Sequence, residues 1–147
     1  MTRQPKPVVD LKASCACGAV TVAVHGPIHS MFMCSCLDCQ KATGTGHSTV
    51  ALVDTAAVTV TGDTRGFARI ADSGATFTRT FCPACGTPLY GASSRAPEKR
   101  MLPVGLFGAQ AGWFVPNQLI FARSHHDWDL IDADLPRHAT YRERKEP

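Results

Sequence analysis

The most diagnostic motif of this chain is Phe81-Cys82-Pro83-Ala84-Cys85-Gly86. The proline and the final glycine bend the backbone into a knuckle, so that two thiolates converge on one tetrahedral ion while nearby amides donate to sulfur. The alternative is two unrelated buried cysteines, but the spacing matches known pairs of zinc ligands. A structural zinc takes four ligands, so the knuckle needs a second pair from elsewhere in the chain.

The other five of the seven cysteines lie in two clusters upstream of the knuckle. Cys15 and Cys17 form a C-x-C unit that is also followed by glycine, and they match the knuckle as a second pair of ligands. The other cluster, which we call the triad, has three thiols within six residues: Cys34, Cys36 and Cys39. Three thiols can hold one zinc with a fourth position open to water or substrate, as in catalytic zinc sites. The cysteines therefore divide as four plus three.

Two other interpretations of the cysteines stay open at this point. The triad could give two ligands to the closed site and leave Cys15 and Cys17 without metal, because spacing alone does not fix the partition. Cys36 and Cys39 could instead form a redox-active C-x-x-C dithiol. The redox interpretation is disfavoured because the strand–helix pattern of thioredoxins is missing and a third cysteine lies two residues away.

The composition is that of a folded protein of one domain. The chain has 147 residues, of which 44% are hydrophobic and 18% are charged, and this length is typical of a single domain. We predict one domain over residues 1–147, with tails at 1–10 and 141–147. The net charge of +3 is too small to favour nucleic acid as a partner, and three of the basic residues lie in the last six positions.

The apolar segments are short. None reaches the length of about 18 residues that a membrane-spanning helix needs. The first ten residues contain two prolines and lack the hydrophobic core of a signal peptide. We therefore expect no membrane association and a cytoplasmic, reducing location, where clustered cysteines indicate metal ligands rather than disulfides.

Alternating apolar residues predict a mainly β protein. The segments are rich in Val, Thr, Phe and Ile and cover residues 19–24, 47–53, 57–61, 67–71, 76–81 and 119–122. Glycines and prolines separate them at intervals of about 8 to 12 residues, which is typical of an antiparallel sandwich or barrel. The best helical candidate is one or two turns over residues 37–43, ending at Gly44, whose missing Cβ suits a left-handed cap.

The order of these motifs resembles the glutathione-dependent formaldehyde-activating enzyme family, which includes centromere protein V. The shared pattern is a C-x-C-G unit running into a strand, then C-x-C-x-x-C with a basic residue and a glycine soon after, then F-C-x-x-C-G. The resemblance covers roughly residues 11–136, and its late part includes Pro116, the 119–121 strand, Trp128 and Leu135-Pro136. One departure follows the triad, where many members have arginine and this chain has Gln40 and then Lys41.

The resemblance implies a β-tent fold, in which small antiparallel sheets gather around a structural zinc and a second zinc lies at a cleft. The family's named activity joins formaldehyde to glutathione, gives S-(hydroxymethyl)glutathione, and is classed as a carbon-sulfur lyase. By position the resemblance implies four structural ligands, Cys15, Cys17, Cys82 and Cys85, and three catalytic ones, Cys34, Cys36 and Cys39. We therefore expect a zinc-dependent lyase with two zinc ions per chain and a small thiol such as glutathione as its substrate.

Two residues near the triad are candidates for binding substrate. Lys41 is the basic residue that the sequence places there and suits an anionic thiol, although exposed lysines are usual. His47 follows a glycine-containing stretch past the triad and could carry a proton near the open zinc position, although histidines are also common at strand starts. His125, His126 and Trp128 could line the cleft, but we leave them outside the site, because paired histidines before an aspartate are often solvated and a lone tryptophan more often packs in the core.

The triad also separates the classes of function that the sequence allows. A zinc-stabilised binding module without catalysis needs only the closed four-cysteine site, so three further cysteines favour chemistry. Three thiolates would leave a bound zinc with a net negative charge, which makes activation of water harder. Binding of a thiol as its thiolate is therefore favoured over hydrolysis.

Overall fold

The computed structural model describes residues 6–142, so residues 1–5 and 143–147 of the predicted tails lie outside the described residues. The described chain is mainly β, as predicted. Its strands are β1 (Val8–Ser14), β2 (Thr21–Pro27), β3 (Ser30–Cys34), β4 (Ser48–Asp54), β5 (Val58–Thr61), β6 (Arg65–Ile70), β7 (Thr76–Phe81), β8 (Pro88–Ser93), β9 (Lys99–Pro103) and β10 (Leu119–Ile120). Its α-helix is α1 (Leu37–Thr43), and 3-10 turns cover Thr55–Ala57, Val104–Trp113 and Ala122–Ser124. Within residues 6–142, no helix has the length and apolar character needed to span a membrane.

The chain forms two compact units, each assembled from two separate stretches. The first unit combines Met1–Ser30 with Ala51–Trp113, and the second combines Met31–Val50 with Phe114–Pro147. The single domain expected from the chain length stays a prediction.

A three-stranded antiparallel sheet in the order β1-β2-β5 lies in the first unit. Val22 and Val24 of β2 are fully or almost fully buried and alternate with partly exposed residues, as expected for a strand with one face in the core. β1 begins at Val8, so residues 8–10, which we assigned to the amino-terminal tail, belong to a strand. The reason is the pairing of β1 with β2, which buries Val9 and Ala13.

Four further strands of the first unit, β6 to β9, pair with their sequence neighbours in antiparallel fashion. The predicted knuckle is the turn between β7 and β8. The Gly86 amide donates to the Cys82 carbonyl at 2.8 Å, and the Cys82 amide donates to the Thr87 carbonyl at 3.0 Å. Gly86 has φ 76°, which explains why glycine is needed after the second cysteine.

The second unit is built around β3, which lies between β10 and the start of β4. β3 pairs with β10 in parallel, with Cys34 opposite Ile120, whereas we expected antiparallel pairing. Parallel pairing is possible because a long connection separates the two strands. α1 follows β3 directly and has the predicted bounds, ending at Gly44 with φ 72° and ψ 18°. These two elements carry the triad.

Candidate metal centres

The first candidate centre lies in the first unit, where two turns each contribute two thiols. Cys15 and Cys17 lie in the turn between β1 and β2, and Cys82 and Cys85 lie in the turn between β7 and β8. The four sulfur atoms all lie within 4.8 Å of one another. The Ala16 amide donates to the Thr87 hydroxyl at 3.0 Å and so links the two turns.

The distances in this cluster fit a tetrahedral zinc. The Cys15 and Cys17 sulfurs are 3.6 Å apart, and the Cys17 and Cys82 sulfurs are 3.8 Å apart. Zinc–sulfur bonds of about 2.3 Å in a tetrahedron place the sulfurs about 3.8 Å from one another. The alternative partition, in which Cys15 and Cys17 hold no metal, does not agree with this geometry.

The electrostatics of the four-cysteine cluster also suit a cation. The Thr87 hydroxyl, then the Thr87 amide and the Cys17 amide, lower the pKa of Cys85 to about 5, so these hydrogen bonds favour its thiolate form. At Cys17, a hydrogen bond from the Ala19 amide lowers the pKa. The neighbouring thiols of Cys15 and Cys85 outweigh this effect and raise the pKa of Cys17 to about 11. A nearby positive charge would therefore favour ionisation of Cys17 beside its neighbouring thiols.

The second candidate centre is the triad, in the second unit. Its three sulfurs lie within 4.8 Å of one another. Cys34 is the last residue of β3, Cys36 is the N-cap of α1, and Cys39 lies in the first turn of α1. The Cys36 sulfur accepts a hydrogen bond from the Cys39 amide at 3.3 Å. The N-cap of the helix thus positions one ligand against the next.

The triad likewise needs a positive charge before its thiols can ionise together. Hydrogen bonds with Cys36 and Cys39, together with burial, raise the pKa of Cys34 far above its usual range. At Cys39, a hydrogen bond with the Cys34 thiol lowers the pKa. The Cys36 thiol and burial outweigh this effect and raise the pKa of Cys39 to about 11. Cys34 is buried while Cys36 and Cys39 are half-buried. The donor set therefore fits a divalent thiophilic cation.

Ser48, which our sequence reasoning missed, also contacts the triad. Its hydroxyl, at the start of β4, donates to the Cys34 carbonyl at 3.5 Å. The same hydroxyl lies close enough to Cys39 to lower the pKa of its thiol when the O–H points to that sulfur. Nothing in the local sequence marks a serine after a histidine as part of a metal site.

Gln40, the departure from the family pattern, is engaged in the structure. Its Nε2 donates to the carbonyls of Ser35 at 2.9 Å and Ser124 at 3.0 Å. Its Oε1 lies 3.0 Å from His126 Nε2 and accepts a hydrogen bond from the Nε2–H group. Gln40 therefore tethers α1 to residues 124–126 through uncharged hydrogen bonds.

The two predicted substrate-binding residues lie on either side of Gly44. Lys41 is exposed in the last turn of α1. His47 is directed at Asp129, with 2.7 Å between His47 Nδ1 and Asp129 Oδ2. Their roles toward a substrate stay predictions. Asp129 was missed because it lies 82 residues from its partner.

Comparison with known proteins identifies the family. The model of the glutathione-dependent formaldehyde-activating enzyme family matches residues 10–124, a range that includes every cysteine of the chain. The chain belongs to the glutathione-dependent formaldehyde-activating enzyme family. The resemblance seen in the three cysteine motifs is thereby confirmed, together with the mainly β fold expected of a formaldehyde-activating enzyme.

A solved structure is similar to this formaldehyde-activating family member. It is the crystal structure of a Rhodobacter sphaeroides protein, with a TM-score of 0.54 and 18% sequence identity. The match covers 67% of this chain and 89% of that chain. At this identity the likeness shows a common fold.

Proposed function

We propose that this protein is a zinc-dependent carbon-sulfur lyase resembling S-(hydroxymethyl)glutathione synthase. It acts on the adduct of a small thiol, such as glutathione, with formaldehyde. The observation that carries the proposal is the triad, a second cluster of thiols that a purely structural zinc protein does not need. Membership of the formaldehyde-activating family supplies the class of substrate.

The proposal gives the two clusters different roles. The four-cysteine cluster holds a structural zinc, because four ligands leave no position for a substrate. Cys34, Cys36 and Cys39 hold a second, catalytic zinc. When bound there, zinc favours the thiolate form of a thiol in its open position, and a thiolate is the nucleophile that adds to an aldehyde carbon.

The chain's own residues complete the proposed site. Half-burial of Cys36 and Cys39 leaves the triad open to a small molecule. Lys41 attracts the carboxylates of glutathione, and since its side chain is exposed its charge is partly screened. His47 carries a proton between the thiol and the aldehyde oxygen. A reducing compartment such as the cytoplasm suits this chemistry, because zinc-ligating cysteines must stay reduced.

Cobalt-substituted protein is expected to change its visible absorption when glutathione is added at millimolar concentration. The physical reason is entry of the glutathione sulfur into the coordination shell of the triad metal. S-methylglutathione, which has no free thiol, should leave the spectrum unchanged at the same concentration.

Lys41→Ala should weaken glutathione binding by at most about fivefold, because an exposed charge pair is worth up to about 1 kcal/mol.

The titration can also reject the proposed substrate. If neither the cobalt spectrum nor calorimetry responds to glutathione, then glutathione is not the ligand of this family member. A protein that binds two metal ions and no thiol would instead fit a zinc-stabilised binding module.

A further inference from the structure

A buried carboxylate lies beside the segment that follows the triad helix. Asp129 is 9% exposed, and its Oδ2 is 2.7 Å from His47 Nδ1. A Cβ atom at Gly46 would come within 2.5 Å of the same Oδ2 atom. The carboxylate therefore occupies the space that Gly46 leaves, and this packing fixes it against His47.

His125 supports Asp129 from the other side. Arg137 Nη1 lies 3.3 Å from His125 Nδ1, and since a guanidinium only donates, Nδ1 accepts. The proton of His125 is therefore on Nε2, which donates to the Asp129 carbonyl at 2.7 Å. The distance from His125 Nε2 to Asp129 Oδ2 is 3.6 Å, too long for a hydrogen bond. His125 thus holds the backbone of Asp129 and leaves the carboxylate to His47.

The hydrogen bond to Asp129 defines the tautomer of His47. A carboxylate only accepts, so Nδ1 carries the proton and Nε2 of the neutral ring has a free lone pair. His47 is also tied to the triad through the backbone. The Thr43 hydroxyl lies 2.9 Å from the Cys39 carbonyl and 3.5 Å from the His47 carbonyl, and the next residue, Ser48, contacts the triad directly.

We propose that Asp129 is a positioning residue, which holds His47 in the Nδ1-protonated tautomer and stabilises its imidazolium while His47 carries a proton. This inference rests on the proposed function and assigns a role to a residue outside the cysteine clusters. The charged and titratable groups of the network are Asp129, His125 and, behind His125, Arg137. Histidine oriented by a buried carboxylate is a recurring arrangement in acid–base catalysis.

The proton transfer balances without any oxidant or reductant. The thiol gives its proton to His47 Nε2, and its sulfur forms a bond to the aldehyde carbon. The carbon–oxygen π pair moves to oxygen, which then takes the proton back from His47. The product is a hydroxymethyl thioether and His47 is again neutral, so the thiol and the aldehyde have added to each other.

The test uses two variants that disturb Asp129 in different ways. Asp129→Asn keeps the shape of the side chain but removes the charge, and Gly46→Ala displaces the unchanged carboxylate by filling its space. Both should lower kcat by about 100-fold, the lower end of the effect of acid–base catalysis. Both should leave KM within about twofold of the wild-type value, because the thiol contacts are retained. Gly112→Ala, where an added Cβ has no neighbour within 4 Å, serves as the control and should keep full activity.

Nitrogen-15 NMR of the histidine rings provides a readout that does not need turnover. The metal-loaded wild type should show His47 as a single Nδ1-protonated tautomer, and Asp129→Asn should show a mixture. A wild-type His47 protonated at Nε2, or an active Asp129→Asn with wild-type kcat, would overturn the role of Asp129 alone. A wild type with no rate above the uncatalysed addition would instead overturn the proposed reaction, and the proton transfer with it.

Discussion

Cys82→Ser is expected to leave the protein unfolded or insoluble. Cys82 is fully buried, and its sulfur lies 3.8 Å from that of Cys17, 65 residues earlier in the chain. Loss of this ligand should remove the proposed zinc, which would connect the two turns. Coupled zinc binding and folding can contribute about 10 kcal/mol or more, which is comparable to the whole stability of a domain. Circular dichroism and thermal melting measure the effect.

A chelator should unfold the wild-type protein, as Cys82→Ser is expected to do. Removal of metal from the folded protein should cause cooperative loss of structure, and added zinc should restore it. A Cys82→Ser variant that melts at the wild-type temperature would show that the four-cysteine cluster does not stabilise the fold.

Cys39→Ser is expected to remain folded, to hold about one zinc, and to lose thiol binding and activity. The triad lies within six residues, so its metal closes almost no loop and adds little to stability through chain entropy. The hydrogen bond to the Cys36 sulfur comes from the backbone amide of residue 39 and survives the substitution. Metal analysis, thermal melting and the glutathione titration should be carried out on this variant beside Cys82→Ser.

The pair of variants can reverse the assignment of the two centres. An unfolded Cys39→Ser together with a folded Cys82→Ser would exchange the structural and catalytic roles. Two folded and active variants would remove zinc from the mechanism.

Elements with strong local signals were predictable from the sequence. α1 has the predicted bounds because Gly44 ends the helix in the left-handed region. β7 also has the predicted bounds, since β-branched threonines occupy every second position of Thr76–Phe81 and two of the other three residues are phenylalanines.

Two of the strands that were missed, β8 and β9, lack such signals. β8 begins with a proline and contains Gly91, both of which are typical of turns. Gly91 is present because the Phe77 ring of the neighbouring strand occupies the space of a side chain, a contact made only in the folded sheet. β9 carries Lys99 and Arg100 at its start and no apolar alternation, so its pairing with β8 determines its structure.

The candidate site also contains residues that local sequence patterns indicate and residues that only the folded structure brings together. The cysteine clusters were predictable because their spacing is local, and the sequence order of the three motifs led to the correct family. The pairing of His47 with Asp129 joins residues 82 positions apart, and no local pattern indicates it. The hydrogen bonds of Gln40 to Ser124 and His126 depend equally on tertiary structure.

The zinc content of the native protein, purified without a metal-affinity column, shows whether both cysteine clusters are metal centres. We predict two zinc ions per chain, one for each cysteine cluster, with all seven cysteines reduced. Partial loss of the triad metal during purification would give a value between one and two, and added zinc would bring it back to two. Less than one zinc per chain, with the thiols in disulfides, would rule out two zinc centres.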